Sequence, residues 1–363
     1  MKTWALLTLI LYSVTLSAQE RITLLFVGDL MQHQAQIDAA RTPQGTYDYT
    51  PCFSLVGPQI QAADIAVGNL EVTLGGRPYK GYPAFSAPDE YLHAIRDAGF
   101  DVLLTANNHC LDRGQKGLER TLHLLDSLQI PSAGTYRDST DRHHRYPLLL
   151  QKKGFRIALL NYTYGTNGLR AKAPNLVNYL DRRQMLKDIH TARAWQPDVL
   201  IACLHWGNEY QQLPSREQQE LADWLFAQGV DHIIGSHPHV VQPMEVRTDS
   251  LGGDRHLLVY SLGNYISNMS ARHTDGGAVV SLTLEKSIPD GNHHPHTRLV
   301  SCSYDLVWTG RPTLTGKKNF ILYPVTTPAD SLAPAARNRL KIFTENTRKL
   351  LSRYNKGIDE QAK

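Results

Sequence analysis

The stretch Ile22-Thr-Leu-Leu-Phe-Val27, followed at once by Gly28-Asp29, has the form of a buried strand that ends in a polar turn. The same form recurs five more times in the 363-residue chain. These apolar runs and their polar tails are Ile65-Ala-Val67 with Gly68-Asn-Leu-Glu71, Val102-Leu-Leu-Thr105 with Asn107-Asn-His109, Val199-Leu-Ile-Ala-Cys-Leu204 with His205-Trp-Gly207, Ile233-Ile234 with Gly235-Ser-His-Pro-His239, and Leu257-Leu-Val-Tyr260 with Ser261-Leu-Gly-Asn264. In open α/β sheets, ligands bind outside the carboxyl ends of the strands. Six tails rich in Asp, Glu, Asn and His therefore predict one shared site.

Amphipathic segments alternate with these strands and predict helices over residues 53–62, 89–98, 115–128, 182–194 and 215–228. Further on, the apolar period changes to two residues, which predicts strands over residues 278–284, 297–304 and 320–323. This alternation indicates an α/β fold whose sheet is covered by helices. We expect one main domain over residues 22–326 and a C-terminal helical tail over residues 327–363, with its helix over 335–354.

The first residues have the layout of a secretory signal peptide. Lys2 precedes an apolar stretch over residues 4–16, and Leu16-Ser-Ala18 offers a small-residue cleavage site. We therefore expect residues 1–18 to be removed and the protein to be exported to the periplasm or cell envelope. An uncleaved N-terminal anchor is the alternative interpretation.

Charge and cysteine content narrow the function classes. Lys and Arg number 38 against 34 Asp and Glu, a net charge of +4 that is spread along the chain, so no nucleic-acid partner is expected. The four cysteines show no C-x-x-C spacing, which excludes a zinc ribbon. A disulfide between Cys52 and Cys302 remains open, because an oxidising compartment would permit one.

The polar tails combine imidazole, carboxylate and amide side chains, which suit a divalent ion such as manganese, zinc or iron(II). His237 and His239 lie two residues apart on one loop, so both can reach one centre, and His205 follows another strand. His109 with Asp112 three residues on has the form of a proton donor whose ring is held by a carboxylate. A helix N-cap is the alternative interpretation of Asn107-Asn108.

Six motifs follow one another between residues 22 and 267. They are Phe26-Val-Gly-Asp-Leu-Met31, Gly68-Asn-Leu-Glu71, Asn107-Asn-His-Cys-Leu-Asp-Arg-Gly114, His205-Trp-Gly-Asn-Glu-Tyr210, Gly235-Ser-His-Pro-His-Val240 and Ser261-Leu-Gly-Asn264. In this order they resemble the motifs of the CapA/PgsA family, which is associated with poly-γ-glutamate capsule synthesis and export. That family in turn looks like a branch of the calcineurin-like metallophosphoesterases.

The resemblance implies a four-layer α/β/β/α sandwich with a site for one or two divalent ions. It implies that the metal ligands are Asp29, Glu71, Asn108, His205, His237 and His239. It implies that His109 donates a proton, with Asp112 holding its ring. Asn69 or Glu71 falls where the family's bridging carboxylate is expected, and Glu71 is preferred because it carries a charge.

One departure puts the metal count in doubt. Met31 stands where the first motif is expected to carry a histidine, so a single ion, or none, remains open. His33, two residues later, is a candidate substitute. Trp206, Tyr210 and Tyr265 are candidates for a ligand wall, with packing as the alternative.

Two functions follow from these observations. The first is an exported, metal-dependent hydrolase or transferase that acts on an anionic cell-surface polymer or its precursor, in contact with membrane-bound capsule synthesis components. The second is a non-catalytic, polymer-binding accessory of an export assembly, built on a degenerate phosphoesterase scaffold. The retained ligand residues favour the first function, and Met31 favours the second.

Overall fold

Two β-sheets pack face to face, and helices cover the outer surface of each. The computed structural model describes residues 20–249, 253–287 and 296–361, so the predicted signal peptide lies outside the described residues. The strands are β1 Glu20–Leu30, β2 Ile65–Asn69, β3 Val102–Leu104, β4 Ser132–Ala133, β5 Thr135–Tyr136, β6 Leu148–Lys152, β7 Phe155–Thr163, β8 Leu176–Val177, β9 Val199–His205, β10 His232–Ser236, β11 Met244–Thr248, β12 Arg255–Val259, β13 Asn264–Ile266, β14 Gly276–Lys286, β15 Thr297–Gly310, β16 Ile321–Pro324 and β17 Asp359–Glu360.

The helices carry most of the outer cover. They are α1 Gln34–Ala40, α2 Thr50–Phe53, α3 Gly57–Ala62, α4 Asp89–Ala98, α5 Gly114–Ser127, α6 Ser139–Arg145, α7 Arg182–Ala194, α8 Arg216–Ala227, α9 Pro312–Thr315 and α10 Pro334–Tyr354. In the described part of the chain, no helix is long and apolar enough to cross a membrane.

The first sheet has the order β16-β15-β14-β1-β2-β3-β4, with β13 paired to the end of β1 and β17 paired to β15. The second sheet has the order β11-β12-β10-β9-β7-β6, and β5 and β8 form a separate ribbon. In the first sheet β1, β2 and β3 run parallel, and in the second β7, β9, β10 and β12 do. Each sheet therefore has a group of carboxyl ends from which polar tails can emerge.

Alternate residues of β1 point into two different cores. Leu24 and Phe26 enter the core between the sheets, where they join residues of the second sheet such as Leu159 and Ile201. Leu25 and Val27 enter the core beneath the helices of the first sheet. A strand buried on both faces reads as a continuous apolar run, which is why the sequence shows these strands so clearly.

Helices α7 and α8 close the opposite side of the sandwich. Met185 and Ile189 of α7 and Leu225 of α8 pack on the outer face of the second sheet, against Leu200 and its neighbours. Each such buried side chain contributes about 1.5–3 kcal/mol of transfer free energy. The layers run helix, sheet, sheet, helix, so the predicted four-layer α/β/β/α sandwich is confirmed.

Two local expectations need correction or extension. The helix predicted over residues 53–62 is two short helices, α2 and α3, because Pro58 lies in the first turn of α3. Proline is tolerated in a first turn but breaks a helix interior. The strands predicted over 278–284 and 297–304 extend into the long antiparallel pair of β14 and β15.

The disulfide considered between Cys52 and Cys302 does not form, and both thiols are free. Cys52 is buried in the core beneath the helices of the first sheet. Cys302, on β15, packs against the core between the sheets. The two side chains therefore lie on opposite faces of the same sheet, where no S–S bond can join them.

A close approach of two backbones fixes the end of β1. A Cβ atom on Gly28 would lie 1.9 Å from the carbonyl oxygen of Gly263, and the same oxygen accepts a hydrogen bond of 3.1 Å from the Asp29 N–H. Only glycine allows this approach, which places Asp29 beside the loop that precedes β13.

We predict that Gly28→Ala destabilises the protein by about 1–3 kcal/mol or more, because the new methyl group meets backbone atoms that cannot move aside. The midpoint of urea unfolding measures the loss. Gly57→Ala is the matched control, since the nearest atom to its Cβ would be the Ala98 carbonyl oxygen at 4.0 Å. A Gly28→Ala protein as stable as the control would contradict the account.

Candidate metal centre

The six residues predicted as metal ligands converge, although they are spread over more than 200 positions of the chain. Asp29 lies near the end of β1 and Glu71 follows β2, while His205 ends β9 and the other histidines follow β10. All six side chains are buried: Asp29, Glu71, Asn108, His205, His237 and His239. The carboxyl ends of strands from both sheets thus open onto one shared site.

The first group of donors consists of Asp29, Glu71 and His239, whose ligand atoms all lie within 4.8 Å of one another. His239 Nδ1 lies 3.2 Å from Asp29 Oδ2 and 3.0 Å from Asn264 Oδ1. His239 Nε2 lies 3.9 Å from Glu71 Oε1. With Nδ1 held by these two oxygens, Nε2 is the atom free to bind an ion.

The second group consists of Glu71, His205 and His237, again within 4.8 Å of one another. His205 Nε2 lies 3.7 Å from Glu71 Oε1 and 2.8 Å from Asn108 Oδ1. The amide oxygen of Asn108 therefore lies beside His205 and is a candidate for a fourth, neutral donor. Glu71 belongs to both groups and stands in the position of a bridging carboxylate.

No hydrogen bond explains the burial of Glu71. Its exposed fraction is 0%, and neither carboxylate oxygen accepts a hydrogen bond. Burial, followed by the charge of Asp29, raises the pKa of Glu71 well above its usual value. An orphaned buried carboxylate costs several kcal/mol, and a divalent cation between it and the histidines would remove that cost. The donor set therefore fits a metal ion.

The histidines are held mainly as neutral rings, which is the form that binds metals. Burial, and then the neighbouring histidines, lower the pKa of His205 well below 6.5 and that of His237 to about 3. His237 Nδ1 is buried and has no partner. Burial also acts to lower the pKa of His239, but the hydrogen bond and charge of Asp29 outweigh it and raise the pKa.

The turn that carries the two closing histidines has an unusual backbone. His237 has φ +100° and His239 has φ +59°, both in the left-handed region that side chains other than glycine rarely adopt. Such conformations cost about 1–3 kcal/mol each and cluster at functional sites. Here they aim both rings at the same centre.

The His109 ring is held in a fixed orientation beside the candidate metal donors. Its Nδ1 lies 2.8 Å from Asp112 Oδ2, and that oxygen also accepts a 2.8 Å hydrogen bond from the Phe85 N–H. A carboxylate accepts only, so it fixes the Nδ1–H tautomer and leaves Nε2 as the unprotonated nitrogen of the neutral ring. The Phe85 ring packs on His109 at a centroid distance of 4.6 Å.

Sequence reasoning missed three polar residues of the site, Asn167, Asn264 and Glu209, and considered Asn69 only for the bridging position. Asn69 donates to Asp29 Oδ1 at 2.8 Å and lies 3.2 Å from His205 Nδ1, so it orients ligands while Glu71 occupies the bridging position. Asn167 accepts from Asn108 Nδ2 at 3.3 Å and lies in a loop without a strand-end signal. Asn264 and Glu209 lie within two of the quoted motifs, after the ends of strands. That position could have identified them as site residues.

Aromatic side chains surround the opening of the site. Tyr82, Tyr164 and Tyr210 are 69%, 46% and 48% exposed. Their rings lie 6.3, 4.4 and 6.3 Å from those of His109, His237 and His239, respectively. This tyrosine rim includes one of the three aromatic residues considered from the sequence.

Three other expectations about site residues turn out differently. Trp206 and Tyr265 are fully buried and serve packing. His33 caps α1, and its Nδ1 accepts a 3.3 Å hydrogen bond from the Asn268 N–H. It joins none of the donor groups found among the described residues, so it does not replace the histidine missing at Met31.

Two solved structures of limited similarity share parts of this fold. The NAD nucleotidase of Haemophilus influenzae covers 95% of this chain and 58% of its own, at 12% identity and a TM-score of 0.47. A putative 5′-nucleotidase from Staphylococcus aureus covers 88% of this chain and 58% of its own, at 13% identity and a TM-score of 0.47. This chain spans less than two thirds of either, and a likeness at this level carries no conclusion about activity.

Curated relatives are more similar in sequence. The capsule biosynthesis protein CapA of Bacillus anthracis is 29% identical over 294 residues, which cover 78% of this chain and 68% of the relative. The PGA biosynthesis protein CapA of Bacillus subtilis is 28% identical over 275 residues, which cover 72% and 67%. The family model described as bacterial capsule synthesis protein PGA_cap matches residues 23–269, more than half of the chain, and the protein belongs to that family.

Proposed function

We propose that the protein is a metal-dependent hydrolase or transferase of capsular polymer synthesis, acting outside the cytoplasm. The observation that carries the proposal is the buried Glu71 carboxylate, which has no hydrogen-bond partner and is shared by two groups of metal donors. A stability role alone would not leave this group without a hydrogen bond, because a buried polar atom that lacks one is destabilising.

The donor chemistry supports two divalent ions. Asp29, Glu71 and His239 would hold one ion, and Glu71, Asn108, His205 and His237 would hold the other. Mixed imidazole, carboxylate and amide ligands suit manganese, zinc or iron(II). When bound, such a pair supplies Lewis-acid activation of a reacting group and of a nucleophile.

The residues beside the donors supply positioning and proton transfer. The Asp112 carboxylate holds the His109 ring at 2.8 Å and exposes Nε2 as the atom that protonates a leaving group. The adjacent Asn108 reaches His205 at 2.8 Å, which places His109 directly beside the second donor group. Asn167, hydrogen-bonded to Asn108, keeps the amide oxygen turned toward the centre.

The substrate class follows from the family and from the opening of the site. The relatives are named for capsule and PGA biosynthesis, which supports an anionic capsular polymer such as poly-γ-glutamate, or its precursor, as substrate. The half-exposed tyrosine rim offers contact area to a polymer that lies across the opening. Export by a signal peptide over residues 1–18 and contact with membrane-bound capsule synthesis components belong to the same proposal.

A non-catalytic accessory is the second candidate, and Met31 is the observation that favours it. Met31 is buried in the apolar core beneath the first sheet's helices, at the position where the resemblance expects a metal-binding histidine. Such an accessory would bind polymer at the tyrosine rim without turnover. Metal content and turnover, measured on the same preparation, separate the two candidates.

We predict that His109→Ala keeps its metal but loses turnover by roughly 10²–10⁴-fold, the usual contribution of a positioned general acid. Asp112→Asn should show a smaller loss, through misorientation of the imidazole. His237→Ala should lose metal and turnover together, because His237 is a proposed ligand. Metal analysis and turnover of poly-γ-glutamate and of an activated phosphodiester are the measurements, with His143→Ala on the exposed face of α6 as control. Unchanged turnover in His109→Ala would remove His109 from the mechanism.

We predict that Glu71→Gln lowers the metal content at both ion positions, because both donor groups share this carboxylate. The amide keeps the shape of the side chain but removes its charge and one acceptor oxygen. Asn69→Ala is the comparison, since Asn69 contacts ligands without being one in this proposal, and it should retain more metal than Glu71→Gln. Wild-type protein that holds no metal yet binds poly-γ-glutamate would instead favour the accessory function.

A further inference from the structure

We infer that Glu209 is a further ligand of the centre, entering from the solvent side to complete the ion position formed by Asp29, Glu71 and His239. This inference rests on the proposed metal-dependent function. The ligand atoms of Glu209, His237 and His239 lie within 4.8 Å of one another. Unlike the other donors, Glu209 is exposed.

Without Glu209, the two ion positions have different numbers of donor side chains. The position at His237 has four donors, because Asn108 adds its amide oxygen to Glu71 and the two histidines. The position at His239 has three donors, Asp29, Glu71 and His239, and the chain places Met31 where a fourth would be expected. Ions of this class bind at least four ligands, so this side has room for a further donor beside any bound water.

Glu209 reaches the donor cluster from its exposed side. Glu71 links the two positions from the buried interior, and Glu209 approaches both His237 and His239 from the surface. His237 Nδ1, buried and without a partner, belongs to the cluster that Glu209 joins and marks it as a ligand site rather than a chance acidic patch.

Charge balance favours a third carboxylate. Two divalent ions bring four positive charges into a buried site where Asp29 and Glu71 supply two negative ones. Uncompensated charge in a poorly solvated interior is costly, and one more carboxylate halves the excess. No Lys or Arg side chain forms an ion pair with Glu209 in the described parts of the chain, so its charge is available to the centre.

The loop that carries Glu209 is held in place. The Tyr210 N–H donates a 2.8 Å hydrogen bond to the Pro238 carbonyl, which ties the loop directly to the turn bearing His237 and His239. Beyond it, the buried Gln242 amide donates to the carbonyl oxygens of Gln211 and Leu213 at 2.8 and 3.2 Å. A ligand on a tied loop loses little entropy when it binds an ion.

The test compares Glu209→Gln, Glu209→His and the wild type, with Glu220→Gln on the exposed face of α8 as control. Manganese is the probe. Bound ions per chain are counted by elemental analysis, and spin coupling between neighbouring ions is detected by electron paramagnetic resonance. We expect two coupled ions in the wild type and in Glu220→Gln. Glu209→Gln should bind the second ion at least about 10-fold more weakly and lose the coupled signal.

Glu209→His should restore much of the second ion, because it replaces one donor by another; a purely electrostatic role would not be rescued by a neutral ring. Equal stoichiometry and affinity in Glu209→Gln and the wild type would overturn this inference and leave the proposed function standing. Absence of manganese from the wild type would overturn both.

Discussion

The structure depends most on one buried carboxylate that two groups of possible metal donors share. Glu71 is fully buried, accepts no hydrogen bond and lies beside the second acid Asp29. Desolvation of such a group costs several kcal/mol, a large part of the 5–15 kcal/mol that normally stabilises a folded protein. In the proposed function this arrangement holds a cation, and the surrounding histidines and amides would be its remaining ligands.

The scaffold meets this constraint by bringing strand ends from two sheets to one edge. Asp29 and Glu71 come from the first sheet, and His205, His237 and His239 come from the second. The core between the sheets holds these edges together, so the stability of the sandwich and the geometry of the site are not separable. The most restricted backbone conformations lie at the same edge. They are the close backbone contact at Gly28 and the left-handed conformations of His237 and His239.

Much of the fold and of the site can be read from the sequence, for physical reasons. Strands such as β1 are buried on both faces, so they appear as unbroken apolar runs whose ends are sharply marked by Gly28-Asp29 and similar tails. Parallel strands place such tails at a common edge, which is why the six candidate ligands converge. The resemblance to the CapA/PgsA family supplied the layer order, which strand patterns alone do not determine.

The residues that escaped prediction are those whose roles depend on three-dimensional neighbours. Asn167 lies on an irregular loop and acts through Asn108, so no local pattern identifies it. Tyr82 and Tyr164 line the opening only because of where their loops lie. Trp206, which the sequence offered as a candidate for the ligand wall, is buried and packs in the core. The helix predicted over residues 53–62 is divided because Pro58 begins a separate helix, an effect that the apolar pattern does not show.

The most direct test of the central claim is a crystal structure of the mature protein soaked in Mn²⁺, with anomalous diffraction data collected near the manganese edge. The account predicts two anomalous peaks about 3.5–4 Å apart, one on each side of the Glu71 carboxylate, with Asn108, His205 and His237 around one and Asp29 and His239 around the other. A map without peaks at Glu71, from crystals whose metal uptake has been verified elsewhere, would contradict it.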